Sequence, residues 1–494
     1  MSKSKWLFSL VCFSGSLLAQ PQDPTHVAGW MFINPPSADT LEILTTDKTI
    51  IDWKSFSIEA GETTRFVQQN ASDAVLNRVA GNIPSNILGT LESNGAVYLI
   101  NPQGILIGSE GKINVAQFAA STLDLDNNQF LQTGDLNFVS STESSSIVNL
   151  GIIDVGCGKA YLLSTRICNS GKIRGSEVTL ATGSSILLQL AGDGNLYIRP
   201  GSAGMPIENT GVIEAIQVEL ASGSTIQSLG IQNSGTLDAL NVSTKNGRIV
   251  LRAENSSVES SGRLAAKTSV AISASTAHLT PSNEISAPQV NIETAGLLNH
   301  EGSITAQNAT LVVTSESSLV HVGSIHAAGV ITLIAPRFLN AGLLETERGG
   351  KISIDIAGSA IETAFARVAA PKGQIIHHAG TYFSSGTYSA PSGSIEIFAD
   401  RMNLFDAHLD ADSVIVGKHL AAQKEASYLY LSRSTMATIF SKPRSERNFS
   451  MKSPVPRSTC ARSSGRRSSS TAETVRSSIL KTRRPGTSEL CHTS

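Results

Sequence analysis

The chain has 494 residues, of which 16% are charged and 5% aromatic, with 41 glycines and a formal net charge of −2. That balance leaves no overall basic excess to recruit nucleic acid, and none is expected as a partner. Few aromatics with many Gly, Ser and Thr suit short strands separated by turns better than helices, so the chain reads as all-β. Its length allows two or three ordinary domains, or one elongated repeat structure without a single large core.

The N-terminus carries Lys3 and Lys5, an apolar run from Trp6 to Leu18, and small Ala19 before Gln20 and Pro21. This is the layout of a secretory signal peptide, assigned to residues 1–19, with an apolar core too short for a permanent anchor. Ser9-Leu10-Val11 precede Cys12, which is not a lipoprotein context. Export without a lipid anchor is therefore expected.

The stretch from Trp53 to Asp124 holds four motifs in order: Trp53-x-x-Phe56, Leu76-Asn77-Arg78-Val79, Ser85-x-Ile87-x-Gly89-x-Leu91 and Asn101-Pro102-Gln103-Gly104-Ile105. Trp53 and Phe56 read as core fillers. Asn101 to Gly104 lies between the apolar runs 97–100 and 105–107, so it must turn, with Pro102 presetting φ and Gly104 accepting an unusual one. Arg78 is the lone charge in a small apolar run, either held by a carboxylate such as Glu92 or facing solvent.

In order and spacing this stretch resembles the N-terminal secretion domain of filamentous haemagglutinin-like exoproteins of two-partner secretion. The resemblance covers residues 27–125, and the domain is placed at 20–145. It implies an export address read by an outer-membrane barrel transporter, and a fold rather than a catalytic activity. Asn77, Arg78, Asn101, Pro102 and Gly104 become candidates for transporter recognition or for nucleating the cap. Such families usually show Asn where this chain has Gln103.

Beyond about residue 146 a phrase recurs, clearest at Asn149-Leu-Gly151, Asn169-Ser-Gly171, Asn209-Thr-Gly211 and Asn233-Ser-Gly235, with looser copies as far as Asn340-Ala-Gly342. The glycine intervals cluster near 20 and twice 20 residues, the length of a solenoid coil. Leucine-rich repeats need a Leu frame that is missing here. The intervening runs, such as Ile249-Val-Leu251 and Ile352-Ser-Ile-Asp-Ile356, are short and β-prone. A right-handed parallel β-helix over 146–420 fits them. Gly would supply positive φ at the corners, and stacked Asn amides would form a hydrogen-bonded ladder. About twelve coils between residues 150 and 400 give a rod on the order of 60 Å, and the segment before 146 is its natural cap.

From Ser441 onward twelve Lys and Arg stand against three Glu, a net +9, whereas residues 1–440 carry −11. Residues 421–494 are read as a low-complexity basic tail that buries too little apolar surface to fold. The repeat phrase and the acidic bias stop together, which also fits a shifted reading frame.

Signals for catalysis are thin, and neither enzyme activity nor a cofactor is expected. Asp124 and Asp126 read as solvated strand residues, His377-His378 as surface strand without a carboxylate partner, and Cys157 and Cys168 as buried small apolar residues. No metal-ligand spacing appears. The reading is a secreted or surface-displayed adhesin with a host or cell-surface receptor. The alternatives are a carbohydrate-active β-helix enzyme and the truncated stalk of a contact-dependent toxin.

Overall fold

The computed structural model describes residues 20–439 apart from 36, 38, 133, 141–144, 191–195, 202–203, 224–228, 241–246, 406, 418–428 and 433–436. The expected leader and the Ser/Arg-rich stretch from residue 440 lie outside the described residues. The described chain is the expected right-handed parallel β-helix, with about 17 turns.

One coil shows the plan. Ser146–Asn149, Ile152–Asp154 and Lys159–Ser164 form its three sides, and Arg166–Asn169, Lys172–Arg174 and Glu177–Thr182 repeat them one level up. All three sides pair in parallel and in register, with Asn149 on Asn169, Ile153 on Ile173 and Leu162 on Leu180. Side chains alternate across a strand, so Ile147, Ile153 and Leu162 point inward and fall under the matching residues of the next coil. Repetition of this arrangement builds one apolar core that runs from Leu41 to Val414.

One column of that interior is polar. The register stacks Asn149, Asn169, Asn209, Asn233, Ser260, Leu279, His300, His321, Asn340, Glu362, Ser384 and Leu404 in successive coils. The expected ladder is present at its start: each Asn Nδ2 donates to the Oδ1 of the Asn above, at 2.7 Å from Asn149, 2.7 Å from Asn169 and 2.8 Å from Asn209. Where Leu279 breaks the polar column, Asn283 reaches back and donates to Ser260 Oγ and to the Gly262 carbonyl, both at 2.8 Å.

The glycines that follow serve a different purpose from the one expected. None of Gly151, Gly171, Gly211, Gly235 or Gly262 has positive φ. A Cβ at Gly211 would instead sit 2.1 Å from the Gly171 carbonyl oxygen, and one at Gly235 would sit 2.1 Å from that of Gly211. The corners are glycine because backbone packs directly on backbone.

The doubled repeat intervals have two different origins. Asn169 pairs directly with Asn209, so that interval is one coil plus an inserted hairpin, Ser185–Leu190 and Leu196–Pro200. Between Gly262 and Gly302 lie two coils, the middle one carrying Leu279 in place of Asn. The hairpin joins Asp124–Leu125 and Leu136–Val139 in a four-stranded antiparallel side sheet. This sheet covers a second apolar cluster that includes Ile50, Leu76, Phe130, Phe138 and Ile186.

Antiparallel strands cover both ends of the stack. Thr25–Ala28 lies on Thr49–Trp53 and Met31–Ile33 on Thr40–Thr45. At the far end Leu429–Ser432 and Ala437–Ile439 pair with Ala407–Gly417, so part of the segment read as tail is strand. The last coil offers unpaired backbone groups, and these strands satisfy them.

Two further expectations are corrected. Cys157 is exposed and Cys168 only half-buried, with its Sγ 3.7 Å from Glu208 Oε2. His377 is fully buried, because strand alternation turns it inward while His378 faces out.

Two substitutions separate the roles of the corner. Gly211→Ala is expected to destabilise the stack by about 1–3 kcal/mol or more through overpacking against the Gly171 carbonyl. Asn209→Ala leaves a buried donor and a buried acceptor unpaired and is expected to cost about 1–3 kcal/mol. Denaturant unfolding followed by circular dichroism measures both, and an unchanged midpoint for either contradicts the assignment.

Candidate recognition site in the first coils

The candidate residues of the first coils divide by the face they occupy. Ala74–Val79 lies between Thr49–Trp53 and Thr90–Ile100, with Ile51 and Leu99 flanking Asn77 and with Asp52 and Ile100 flanking Arg78. Alternation sends Asn77 inward and Arg78 outward. Asn77 is fully buried: its Oδ1 accepts the Trp53 indole N–H at 2.9 Å, and its Nδ2 donates to the Tyr98 carbonyl at 3.4 Å. A buried indole needs an acceptor, and Asn77 supplies it inside the core. Phe56 packs edge-on against Trp53 at 5.6 Å and parallel to Phe66 at 6.5 Å, so the aromatic motif is the core filler that its spacing implied.

Arg78 turns toward the side sheet and spreads its guanidinium over three acceptors. Nε donates to Asp124 Oδ1 at 2.9 Å, Nη1 to Asp52 Oδ1 at 3.3 Å and Nη2 to the Leu125 carbonyl at 2.6 Å. Its side chain is 16% exposed. Glu92 pairs with Arg65 at 2.9 Å, so it is not the partner of Arg78. Asp124 is therefore an ion-pair partner. Asp126 caps the short helix Asn127–Leu131 by accepting from the backbone N–H of Asn128 at 2.9 Å and of Gln129 at 3.2 Å.

Sequence reasoning missed Lys48. Its Nζ donates to the Phe130 carbonyl at 2.7 Å and lies 4.7 Å from the centre of that ring. The two residues are 82 positions apart, and no local pattern at Lys48 marks the partnership.

The turn at Asn101 has a structural inner half. The Asn101 side chain is fully buried and donates to the Ile83 carbonyl at 3.0 Å and to Ser85 Oγ at 2.9 Å. Its Oδ1 accepts from the Gln103 N–H at 2.9 Å, and its backbone carbonyl accepts from the Gly104 N–H at 3.1 Å. Gly104 sits at φ +118, a conformation that favours glycine. The outer half consists of half-buried Pro102, exposed Gln103 and Ile83, which is 55% exposed. The candidate residues thus fall into two groups, a core pair with a clamp at Asn77 and Arg78 and a turn at Asn101 to Gly104.

Among the described residues no group of three or more His, Cys, Asp or Glu is placed to hold a metal ion. No described helix is long and apolar enough to cross a membrane.

Residues 40–266, the β-helix with its flanking antiparallel sheet, match the family described as TPS secretion domain. That match agrees with the resemblance of the N-terminal motifs to filamentous haemagglutinin-like exoproteins of two-partner secretion. It is similar to a heme/hemopexin-binding protein of Haemophilus influenzae, 27% identical over 275 residues that make up 49% of this chain and 30% of the relative. A second protein of that description, from Haemophilus influenzae strain KW20/Rd, is 31% identical over 222 residues, 42% of this chain and 24% of the relative. The matched stretches therefore span less than a third of these relatives. Among solved structures the HMW1 secretion domain of Haemophilus influenzae aligns at 24% identity and a TM-score of 0.42, covering 80% of this chain and 100% of that one. The filamentous hemagglutinin secretion domain aligns at 13% and 0.30, covering 67% and 99%. These matches are to secretion domains and heme/hemopexin-binding proteins, not to enzymes.

Replacing Arg78 by Ala strands Asp124 and a backbone carbonyl at the seam between coil and side sheet. The expected loss is about 1.5–3 kcal/mol, typical of hydrogen bonds to a charged group. Limited proteolysis should then cleave between residues 124 and 139 sooner than in the parent protein. Equal cleavage rates would show that Arg78 does not hold the side sheet.

Proposed function

We propose that this chain is a secreted or surface-displayed, adhesin-like exoprotein. Its leader takes it to the periplasm, and its first coils direct it through a partner barrel transporter in the outer membrane. The match to the secretion-domain family carries this reading. The two-part division of the candidate residues refines it. Asn77, Arg78, Asn101 and Gly104 serve cap nucleation, because their polar groups or conformations are committed to the first coils. Pro102 and Gln103 belong to the outward half of the turn and serve contact with the transporter.

The similar Haemophilus proteins are heme/hemopexin-binding by description, which favours a host protein or heme as ligand over a glycan receptor. The coils supply a scaffold of stacked, outward-facing strand positions for such a ligand. Fold alone assigns no ligand, so this identification rests on the relatives.

Co-expression with the two-partner transporters of the same genome tests export, with immunodetection in medium, outer membrane and periplasm. Transporter-dependent release into the medium is expected. Retention in the periplasm with every transporter would sink the export reading. In the same assay a Pro102→Ala, Gln103→Ala variant should fold normally by circular dichroism yet be released about tenfold less, equivalent to about 1.4 kcal/mol of lost recognition. Normal release of that folded variant would remove the turn from recognition.

A further inference from the structure

The polar column inside the stack changes chemistry along the chain. From Asn149 to Asn233 it is built of amides, and from His300 onward it carries His300, His321 and Glu362, with His377 inward nearby. These four side chains are buried at 0–2% exposure. Before residue 294 the only histidines in the whole sequence are His26 and His278, and both are exposed.

The hydrogen bonds define which protons these groups hold. The His300 and His321 rings stack 5.0 Å apart and within 4° of parallel, and their Nδ1 atoms lie 2.9 Å apart. The Leu343 carbonyl, 3.2 Å from His321 Nε2, can only accept, so Nε2 carries a hydrogen. In neutral His321 the acceptor is then Nδ1, His300 donates from its own Nδ1, and His300 Nε2 is bare and buried without a hydrogen bond. A second proton on His321 would either oppose the His300 Nδ1–H or move that hydrogen to His300 Nε2, which is buried without a hydrogen-bond partner. Leu279 lies below this pair and Asn340 above it.

One level further, Glu362 accepts from Asn340 at 3.3 Å, from Tyr382 at 2.7 Å, from Ser384 at 3.2 Å and from Tyr388. His377 Nδ1 lies 2.9 Å from the Tyr388 hydroxyl and 4.0 Å from Glu362, its ring meets Tyr382 edge-on at 4.5 Å, and its Nε2 has no hydrogen-bond partner. His378, the remaining titratable neighbour, faces outward.

We propose that the coils from Leu298 to Leu409 form an acid-labile module that opens in mildly acidic medium while the preceding coils stay folded. Burial holds His300 down to about 3, with the His321 charge adding to the effect, holds His321 at about 4, and holds His377 at about 3 with His378 adding. An unfolded histidine titrates near 6.5. Below that pH the unfolded chain takes up protons that the folded coils refuse, so stability is lost as pH falls from about 6.5 toward 4.

At pH 5 each such histidine favours the open state by about 30-fold. Glu362 acts in the opposite direction, because burial raises its carboxyl and acidification relieves it. Without that opposing contribution His300 and His321 together favour the open state by about 1000-fold at pH 5, and Glu362 reduces this figure. Among the described residues of the earlier coils the buried carboxylates are Glu62, Asp73 and Glu219. Burial raises Glu219, beside Arg252 at 3.2 Å, which gives that carboxyl the same opposing sign.

Hydrogen exchange of the full chain, read by mass spectrometry and corrected for intrinsic rates, tests the module. Between about pH 7.5 and 5, peptides from 298–409 should lose more protection than peptides from 146–266, by up to about 1000-fold. The His300→Asn, His321→Asn variant, which restores amides to the column, should remove most of that difference. Equal loss in both regions would overturn the proposal, as would an unchanged difference in the folded variant. Should that variant fail to fold, the parent protein's profile decides alone.

Discussion

Coil-on-coil contact at the Asn-x-Gly corner is the constraint on which the rest of the structure depends. There the backbone of one coil rests on the carbonyl of the coil below, too close for any Cβ, as at Gly171, Gly211 and Gly235. That approach brings the preceding residues of successive coils into one column, where a short amide both donates upward and accepts from below. Glycine and asparagine are thus two parts of one device, one admitting the close approach and the other satisfying the polar groups it buries. A slip of one residue would turn the column outward and the apolar set with it, so the corner also fixes register for all three sides.

The column also explains how a β-helix tolerates polar residues in its interior. An amide ladder is self-satisfying only while the column remains unbroken. Each departure is accordingly met by a local repair: Asn283 reaches back past Leu279, two histidines share one proton-mediated contact, and a carboxylate gathers two tyrosines, a serine and an amide. A partly satisfied network is costlier than an apolar core. His300 and His377 each leave one ring nitrogen without a hydrogen bond, so the repairs become less complete along the chain.

What the sequence made legible follows the distance over which each interaction acts. The β-helix, its period and the ladder were readable because all three repeat within about 20 residues and use few residue types. The function of the glycines was misassigned because φ and close approach demand the same residue, and only the stacked carbonyl tells them apart. The burial of His377 was missed because its carboxylate partner is one coil below, at Glu362, beyond any local pattern. The same limit hid the partners of Arg78, since Asp52 and Asp124 lie 26 and 46 positions away while Glu92 stood nearer.

Those long-range contacts give the early coils a different folding character from the later ones. Beyond the hairpin the described strands pair only with those of neighbouring coils, so coils can be added one level at a time. The early coils instead depend on the side sheet, whose strand Leu136–Val139 pairs with Ser185–Leu190 from a later excursion, and Arg78 and Lys48 tie that sheet back to the start. The clamp therefore closes only when roughly the first 200 residues are all present. A chain that reaches its folding site N-terminus first has no complete template until that point and a ready one afterwards. Arg78, bonded to Asp52, Asp124 and the Leu125 carbonyl, is one of the contacts that join the early coils to the side sheet.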